Sequence, residues 1–599
     1  MIFETGIDPI VCEENCSFYM ALYSWCVRQM TYHRNKGNNE QAVRWGVEAA
    51  TIASGDGSFG LLTDLVCEDV LLSIGRSLKD SPFTENQSDK KRYLHVLSEA
   101  YSGGGHTNLC MRWITSDSTN SCHHMIITSQ KAQLSDRLRR EVELQNGKFT
   151  VLDSTLPWTE RAIQLRKIAC QDADIIVLHT HPMDPLPVLS FAIDDTPPIV
   201  LLNHADHLYW LGASVADLVI NLRDSGQSIT QKCRGIENAI ILPIPLGKAV
   251  FSSEDKSIYF KRRNQEKEKL GIPEEAIVFL TIGTEYKYDA LGDYDFINTA
   301  EKILERSPTA YLIAIGPAFG SRWEAASERC GGRLLALGVK EDLSTFHEMA
   351  DIYLEGFPFG SLTALLEAGL AGLPCVGAPA ITPLPYRSDD IALDCMIKPS
   401  SIAEYISEAT RLAFDGDARV LIGRNLKAAI YNHHCGSGWS KHLEQLYNRL
   451  PDRHIPGLKK KPYPMPLYQR NYWGAFKWGG KKIDYVKIYK SIYQNAEWTG
   501  FPLIGSIDSK FDRDLYSLAK HLKNRAGLKY NWLCEICVDN GFRAFVIKDI
   551  KSIAISLFRC LYIAPSSIRN RALISLLVRS LFGDCFWKVA HKRISAFII

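Results

Sequence analysis

Asp351-Ile-Tyr-Leu-Glu-Gly-Phe-Pro-Phe-Gly-Ser-Leu-Thr-Ala-Leu-Leu-Glu-Ala-Gly-Leu-Ala-Gly-Leu-Pro-Cys-Val376 is the stretch on which the fold turns. A short apolar strand ends near Glu355, a turn holds Pro358 and Gly360, and a helix starts near Ser361 ahead of a second strand at 374–376. Strand, glycine turn, helix and strand make the repeating unit of a parallel α/β sheet. Residues 361–386 are the most apolar window of the chain, yet Glu367 and Pro374, Pro379, Pro383 and Pro385 interrupt them, so they read as buried helix, strand and loop rather than a membrane span.

The same unit recurs outward from this stretch. Apolar runs at 276–282, 310–315, 333–337 and 352–354 belong with it in an α/β domain over 251–450. A second set at 93–97, 125–127, 175–178, 199–202, 218–220 and 239–242 forms an earlier α/β domain over 91–250, and the charged segment 254–270 connects the two. Two successive Rossmann-like domains imply a cleft, and ligands bind in such clefts at the carboxyl ends of parallel strands. Residues 1–90 carry helical spacing in two runs, 42–53 and 61–74, and read as a helical hairpin region of tetratricopeptide-like kind. Residues 451–599 read as a basic, mainly helical extension, opening on Lys459-Lys-Lys461 and ending in a basic amphipathic tail, 551–599, suited to an anionic membrane surface or a partner helix.

Composition narrows the class. The 599 residues hold 69 Lys plus Arg against 67 Asp plus Glu, a net charge of +2, which argues against a nucleic-acid partner. With 46% hydrophobic and 23% charged residues the chain is an ordinary globular protein of several domains. Sixteen cysteines are too dilute for a disulfide scaffold, and Glu4, Asp8, Glu13 and Glu14 stand where a secretory signal needs basic residues. A cytoplasmic protein is expected, peripheral at the inner face of a membrane if the tail engages lipid.

The chemistry-bearing residues gather at strand ends. Free N–H groups at the helix start, beside Gly360, Ser361 and Thr363, suit a diphosphate, and Glu367, about one and a half turns on, suits ribose hydroxyls. In the first domain Gly103-Gly104-Gly105-His106 follows the first strand, and two histidine-rich strand ends follow later: His179-Thr-His181-Pro-Met-Asp184 and Asn203-His204-Ala-Asp206-His207, both expected to face the cleft. Neutral histidines there can take a proton from an acceptor hydroxyl or hydrogen-bond a sugar. Four histidines with Asp184 and Asp206 also have the composition of a metal site, and helix capping is the simpler role for His179 and His207 taken singly. Asp172-Ala-Asp174 and Asp293-Tyr-Asp295 match an Asp-x-Asp metal pattern that short acidic pairs often meet by chance, and Cys534-Glu-Ile-Cys537 lacks the second pair of a zinc knuckle.

The block Phe357-Pro-Phe-Gly-Ser-Leu-Thr363, followed by Glu367-Ala-Gly-Leu-Ala-Gly-Leu-Pro374, resembles the nucleotide-sugar signature of GT-B fold glycosyltransferases, especially the O-GlcNAc transferase-related and bacterial protein glucosyltransferase families, and is similar to family-4 enzymes. It departs from the last in having Phe359 where a glutamate stands eight positions before Glu367, which leaves retaining and inverting chemistry both open. Thr281-Ile-Gly-Thr-Glu-Tyr-Lys-Tyr288 resembles the Tyr-Lys pair of the O-GlcNAc type, which makes Lys287 the cation for the departing diphosphate. The resemblance covers roughly residues 93–450. It implies a metal-independent hexosyltransferase that takes a hexose or N-acetylhexosamine from a UDP-sugar co-substrate, with no other cofactor, to a glycan, lipid-linked glycan or protein acceptor, as in polysaccharide biosynthesis. By the same resemblance the donor binds at Lys287, Gly360, Ser361, Thr363 and Glu367. His204, His181 and His106 are the catalytic candidates, and Gly103, Gly104, Gly105 and Asp206 form the acceptor-side loop. A nucleotide-sugar epimerase of the same architecture and a non-catalytic glycan- or protein-binding scaffold are the alternatives.

Overall fold

The computed structural model describes residues 9–55, 59–79, 90–101, 105–131, 134, 136–194, 196–247, 256–451, 454–457 and 462–463. The basic tail, nearly all of the 451–599 extension, Cys534, Cys537, Gly103 and Gly104 therefore lie outside the described residues. Among the described residues no helix is long and apolar enough to cross a membrane.

Helices α1 (Pro9–Asn35) and α2 (Asn39–Ser54) turn through Gly37, whose φ of +76° favours a residue without a Cβ. The Trp25 and Trp45 indoles meet edge to face, 5.1 Å between centroids. Residues Pro9–Ile52 belong to one compact unit, and Ala53–Gly479 to a second that carries both sheets.

That second unit opens with α3 (Leu65–Arg76), capped by the Asp64 carboxylate on the Val66 N–H at 2.9 Å. Its first sheet comprises β1 (Lys91–Leu97), β2 (Ser121–Ile127), β3 (Phe149–Val151), β4 (Ile175–His179), β5 (Ile199–Asn203), β6 (Leu218–Asn221) and β7 (Ala239–Ile241). Its helices are α4 (Gly105–Ser116), α5 (Asp136–Leu144), α6 (Trp158–Asp172), α7 (Leu186–Ser190) and α8 (Asp224–Cys233). All pairings are parallel, in the order β3-β2-β1-β4-β5-β6-β7. Every residue of β4, β5 and β6 is buried, as expected of strands covered by helices on both faces.

The second lobe comprises α9 (Lys256–Lys269), β8 (Val278–Ile282), α10 (Phe296–Arg306), β9 (Tyr311–Ile315), α11 (Ser321–Arg329), β10 (Leu334–Ala336), α12 (Ser344–Met349), β11 (Ile352–Leu354), α13 (Leu362–Leu370), β12 (Cys375–Val376), α14 (Ile402–Phe414), α15 (Gly416–His434) and α16 (Gly436–Tyr447). Its sheet is also parallel, in the order β10-β9-β8-β11-β12. Strand order reverses between β1 and β4 in one sheet and between β8 and β11 in the other, and crevices open at such reversals. Two parallel α/β lobes of this kind have the architecture that the GT-B resemblance implies.

The C-terminal helices tie back to the first lobe. His434 bridges the Ile244 carbonyl and Asp390 through its two ring nitrogens, Trp439 Nε1–H donates to the Pro243 carbonyl at 2.8 Å, and Tyr447 stacks on Tyr93 at 4.7 Å.

Gly423 lets α15 lie directly on the turn after α13, where a Cβ would overlap the Gly372 carbonyl oxygen. Alanine in a helix gains up to about 1 kcal/mol over glycine, but backbone cannot yield as a side chain does, and overpacking of this kind costs about 1–3 kcal/mol. Gly423→Ala should therefore lower urea stability by about 2 kcal/mol, whereas Gly416→Ala, whose nearest neighbour is the flexible Arg419 side chain, should be near neutral. Equal midpoints for the two variants would contradict this packing.

Candidate active site

The second lobe presents the start of α13 to the cleft. Glu355, just past β11, is 1% exposed, and its carboxylate accepts the Ala378 N–H at 2.7 Å and the Ser388 N–H at 3.0 Å, while its carbonyl accepts the Tyr405 hydroxyl. Burial raises the Glu355 pKa, and these hydrogen bonds oppose the rise. Gly360 is required here, because a Cβ would overlap the Glu355 carboxylate, and its N–H donates to the Tyr386 carbonyl at 2.7 Å. Ser361 occupies the N-cap of α13 without a side-chain cap bond, which leaves the first N–H groups of the helix without a side-chain acceptor.

Lys287 reaches the same point from the short 3-10 turn Glu285–Tyr288 after β8. Its Nζ donates to the Gly360 carbonyl and to Ser361 Oγ, both at 2.9 Å, and lies 5.0 Å from the Phe359 ring centroid. Burial lowers its pKa to about 8, with Arg223 adding to the shift and Glu355 opposing it, so it remains mostly charged at pH 7. Thr363 sits partly exposed in the first turn of α13.

The first lobe supplies Arg223 at the N-cap of α8. Its fork grips Asp206 through Nε at 2.6 Å and Nη2 at 3.0 Å, while Nη1 donates across the cleft to the Arg387 carbonyl at 3.4 Å. Burial pushes the Asp206 carboxyl up, but Arg223 and His207 outweigh it and hold it well below the ordinary value. The Ser225 N–H and hydroxyl donate to Asp389 of the second lobe at 2.9 and 2.8 Å. Arg387 Nε is buried with no hydrogen-bond partner among the described residues.

His106, His181 and His204 come together at the ends of β1, β4 and β5. The His106 ring centroid lies 4.7 Å from that of His204 and 5.9 Å from that of His181. Only a protonated nitrogen can bond to a carbonyl, so the 2.5 Å contact of His106 Nε2 with the His179 carbonyl places the proton there and leaves Nδ1 a lone pair. Burial lowers the His106 pKa to about 4, with that hydrogen bond opposing, and lowers His204 to about 3, with His106 and His181 adding. Both are neutral near pH 7.

Several expected residues lie elsewhere or carry other contacts. The sequence reading has His179 facing the cleft, but its ring is wholly buried and hydrogen-bonded to His95, because strand alternation places it on the face of Ile175 and Val177. His207 does face the cleft, paired with Asp206 and packed on Phe359 and Tyr386. Glu367 receives Arg112 Nη2–H from the first lobe at 2.6 Å. Asp184 accepts Ser98 and Thr128 hydroxyls, Asp172 and Asp174 pair with Lys148 and Arg92, and Asp295 caps α10. Of the acceptor-loop glycines only Gly105 is described, exposed at the start of α4. Arg223, Arg387 and Arg112 are additions to the expected set. Arg223 stands two residues past β6 and the strand-end rule points to it, whereas nothing local marks Arg112.

No family model matches the chain, and no curated protein matches it in sequence. Solved structures resemble it in backbone path. HepE of Anabaena, in complex with UDP and glucose, aligns over 60% of this chain and 99% of its own at 14% identity, with a TM-score of 0.44. A variant O-GlcNAc transferase of Thermobaculum terrenum aligns over 76% of this chain and 83% of its own at 16% identity, with a TM-score of 0.41. A glycosyltransferase of Rickettsia africae aligns over 60% and 98% at 11% identity, with a TM-score of 0.43.

The neutral histidines make stability depend on pH. Unfolded, each imidazole takes a proton below about pH 6.5, whereas folded His106 and His204 resist protonation until about 4 and 3. The unfolded chain therefore binds more protons in this window, and stability falls as pH drops from about 6.5 toward 4, by about 1.4 kcal/mol per pH unit for each histidine. Urea denaturation at pH 7.5, 6 and 5 should show a steeper acid loss for the unaltered protein than for the His106→Gln, His204→Gln double variant. Parallel profiles would place a proton on these rings in the folded state.

Proposed function

We propose that this protein transfers a sugar from a nucleoside diphosphate sugar, a UDP-sugar, to a hydroxyl of a glycan, lipid-linked glycan or protein. The observation that carries the reading is the meeting of the α13 N-terminus, Lys287 and Ser361 at one point between two parallel lobes, with Arg223 and Arg387 beside it. Negative charge grows on the diphosphate as the sugar departs. A helix N-terminus contributes about 0.3–1 kcal/mol toward a negative charge and each charge-assisted hydrogen bond about 1.5–3 kcal/mol. A bound diphosphate also raises the Lys287 pKa again, because an anion beside an ammonium favours the charged form. Glu367, held by Arg112 at one oxygen, accepts ribose hydroxyls with its remaining capacity.

On the opposite wall His106 offers the Nδ1 lone pair as acceptor for the proton of the attacking hydroxyl, with His204 and His181 beside it. The leaving group is stabilised by dipole and fixed cations, so turnover should not need added magnesium or manganese. The membrane contact remains with the basic tail, 551–599, as a second part of the proposal read from sequence.

Calorimetric titration of UDP tests the nucleotide assignment. Lys287→Ala and Glu367→Ala should each weaken binding by roughly 1.5–3 kcal/mol, the scale of one hydrogen bond to a charged group. His106→Ala and His204→Ala should bind UDP normally while turnover falls by roughly 10²-fold or more. Mass spectrometry of products from a UDP-sugar panel, with cell extract as acceptor source, supplies the turnover assay and separates transfer from epimerisation of UDP-sugar alone. Unchanged UDP binding in both donor-side variants would leave the scaffold reading in first place, and stimulation by manganese of about tenfold would overturn the metal-free mechanism.

A further inference from the structure

Behind the cleft histidines a second polar cluster crosses the first sheet. The His123, His95 and His179 rings lie on β2, β1 and β4, each 0–1% exposed, and hydrogen-bond in series: His123 Nδ1 to His95 Nε2 at 2.9 Å and His95 Nδ1 to His179 Nε2 at 2.9 Å. At the far end His123 Nε2 lies 3.1 Å from Asp117 Oδ2, and Asp117 also accepts the Tyr447 hydroxyl at 2.9 Å. The Cys110 thiol of α4, fully buried, closes the near end, and one donor atom each from His95, Cys110 and His179 lie within 4.8 Å of one another. Trp113 walls the group, edge-on to both His95 and His179.

Proton bookkeeping sets the direction of this chain. An ionised carboxylate only accepts, so the His123 Nε2–Asp117 contact carries its proton on Nε2; with His123 Nδ1 accepting, His95 carries its proton on Nε2, and His95 Nδ1 is a lone pair turned toward His179. An imidazole lone pair whose other nitrogen donates along a path to a carboxylate is the outer support that metal-bound histidines have. His179 Nδ1 is buried without a hydrogen-bond partner.

We propose that His95, Cys110 and His179 form a buried site for a thiophilic divalent cation, zinc, which fastens β1, β4 and α4 directly behind the cleft. On binding, the Cys110 S–H proton leaves to solvent and a zinc–sulfur bond forms. The proton shared between His95 Nδ1 and His179 Nε2 moves to His179 Nδ1, which frees both nitrogens for the ion. The thiolate and the Asp117 carboxylate at the end of the relay together match the two charges of zinc. Two nitrogens bonded to a tetrahedral zinc at about 2.05 Å stand about 3.3 Å apart, so the 2.9 Å pair opens by only a few tenths of an ångström. The same strand end holds His106 through the His179 carbonyl, so the ion makes the position of a catalytic candidate rigid.

The test is metal content and the spectrum of a cobalt-substituted protein. The full-length chain, equilibrated with zinc and passed through a desalting column, should retain about one zinc per chain, and cobalt(II) in its place should give a thiolate-to-cobalt charge-transfer band in the near ultraviolet. Cys110→Ser and His95→Gln should lose both signals, whereas Cys395→Ser, which alters an exposed cysteine, should keep them. Should Cys110→Ser fail to fold, Cys110→Ala with an unchanged far-ultraviolet circular dichroism spectrum keeps the thiolate assignment testable, because the cobalt band must disappear in it. Zinc content in the unaltered protein no higher than in Cys110→Ser, or cobalt bound without a thiolate band, would overturn the proposal.

Discussion

The Arg223–Asp206 ion pair is the contact on which the cleft depends. Two buried charges are costly unless geometry and further hydrogen bonds compensate, and here both conditions hold: the guanidinium fork meets the carboxylate at two points and spends a further N–H on the Arg387 carbonyl of the other lobe. Removing one partner of such a pair leaves the other uncompensated, at about 3–5 kcal/mol. The pair also fixes distances. Asp206 lies just past β5 and Arg223 just past β6, so their grip sets how the two strand ends face the α13 N-terminus. Arg223 in turn adds to the lowering of the Lys287 pKa, so the first lobe tunes the cation of the second.

Much of this was legible in sequence because it is local. Apolar runs bounded by turn residues mark eleven of the strands, and the Gly360-Ser361 turn with the following helix stands where the pattern puts it. The exception, β3, has three residues at a sheet edge and none of them buried, so it lacks the apolar signature. The trio His106, His181 and His204 was readable because strand ends in a parallel sheet converge at the order reversal, whereas Lys287 was readable only through the resemblance of its segment to the Tyr-Lys pair of O-GlcNAc-type transferases.

What sequence leaves hidden is which side chain meets which across hundreds of residues. Arg112 and Glu367 are 255 positions apart and no local pattern couples them. His179 and His181 look equivalent in the string His-Thr-His, yet β4 ends between them: the first continues the buried face of Ile175 and Val177, and the second lies past the ladder, beside Tyr101 and His106. Asp117, His123, His95 and His179 become one relay only because β2, β1 and β4 are neighbours in an order that the chain sequence does not follow.

The two walls of the cleft divide the electrostatic work. The second-lobe wall gathers cations and a helix N-terminus, which favour a diphosphate and gain strength as its charge grows. The wall from β1, β4 and β5 carries His106 and His204, which burial keeps neutral, with His106 held in one tautomer by a backbone carbonyl. On the proposed reading a cationic imidazole there would add positive charge where the acceptor hydroxyl loses its proton, and it would have no lone pair to receive it. Burial therefore does more than hide these rings. It costs stability in acid, and in return it keeps the His106 Nδ1 lone pair available near pH 7. The lobe contacts through Arg223, Ser225 and Arg112 hold these opposite environments against each other, which on the proposed reading is what a transfer between two bound substrates requires.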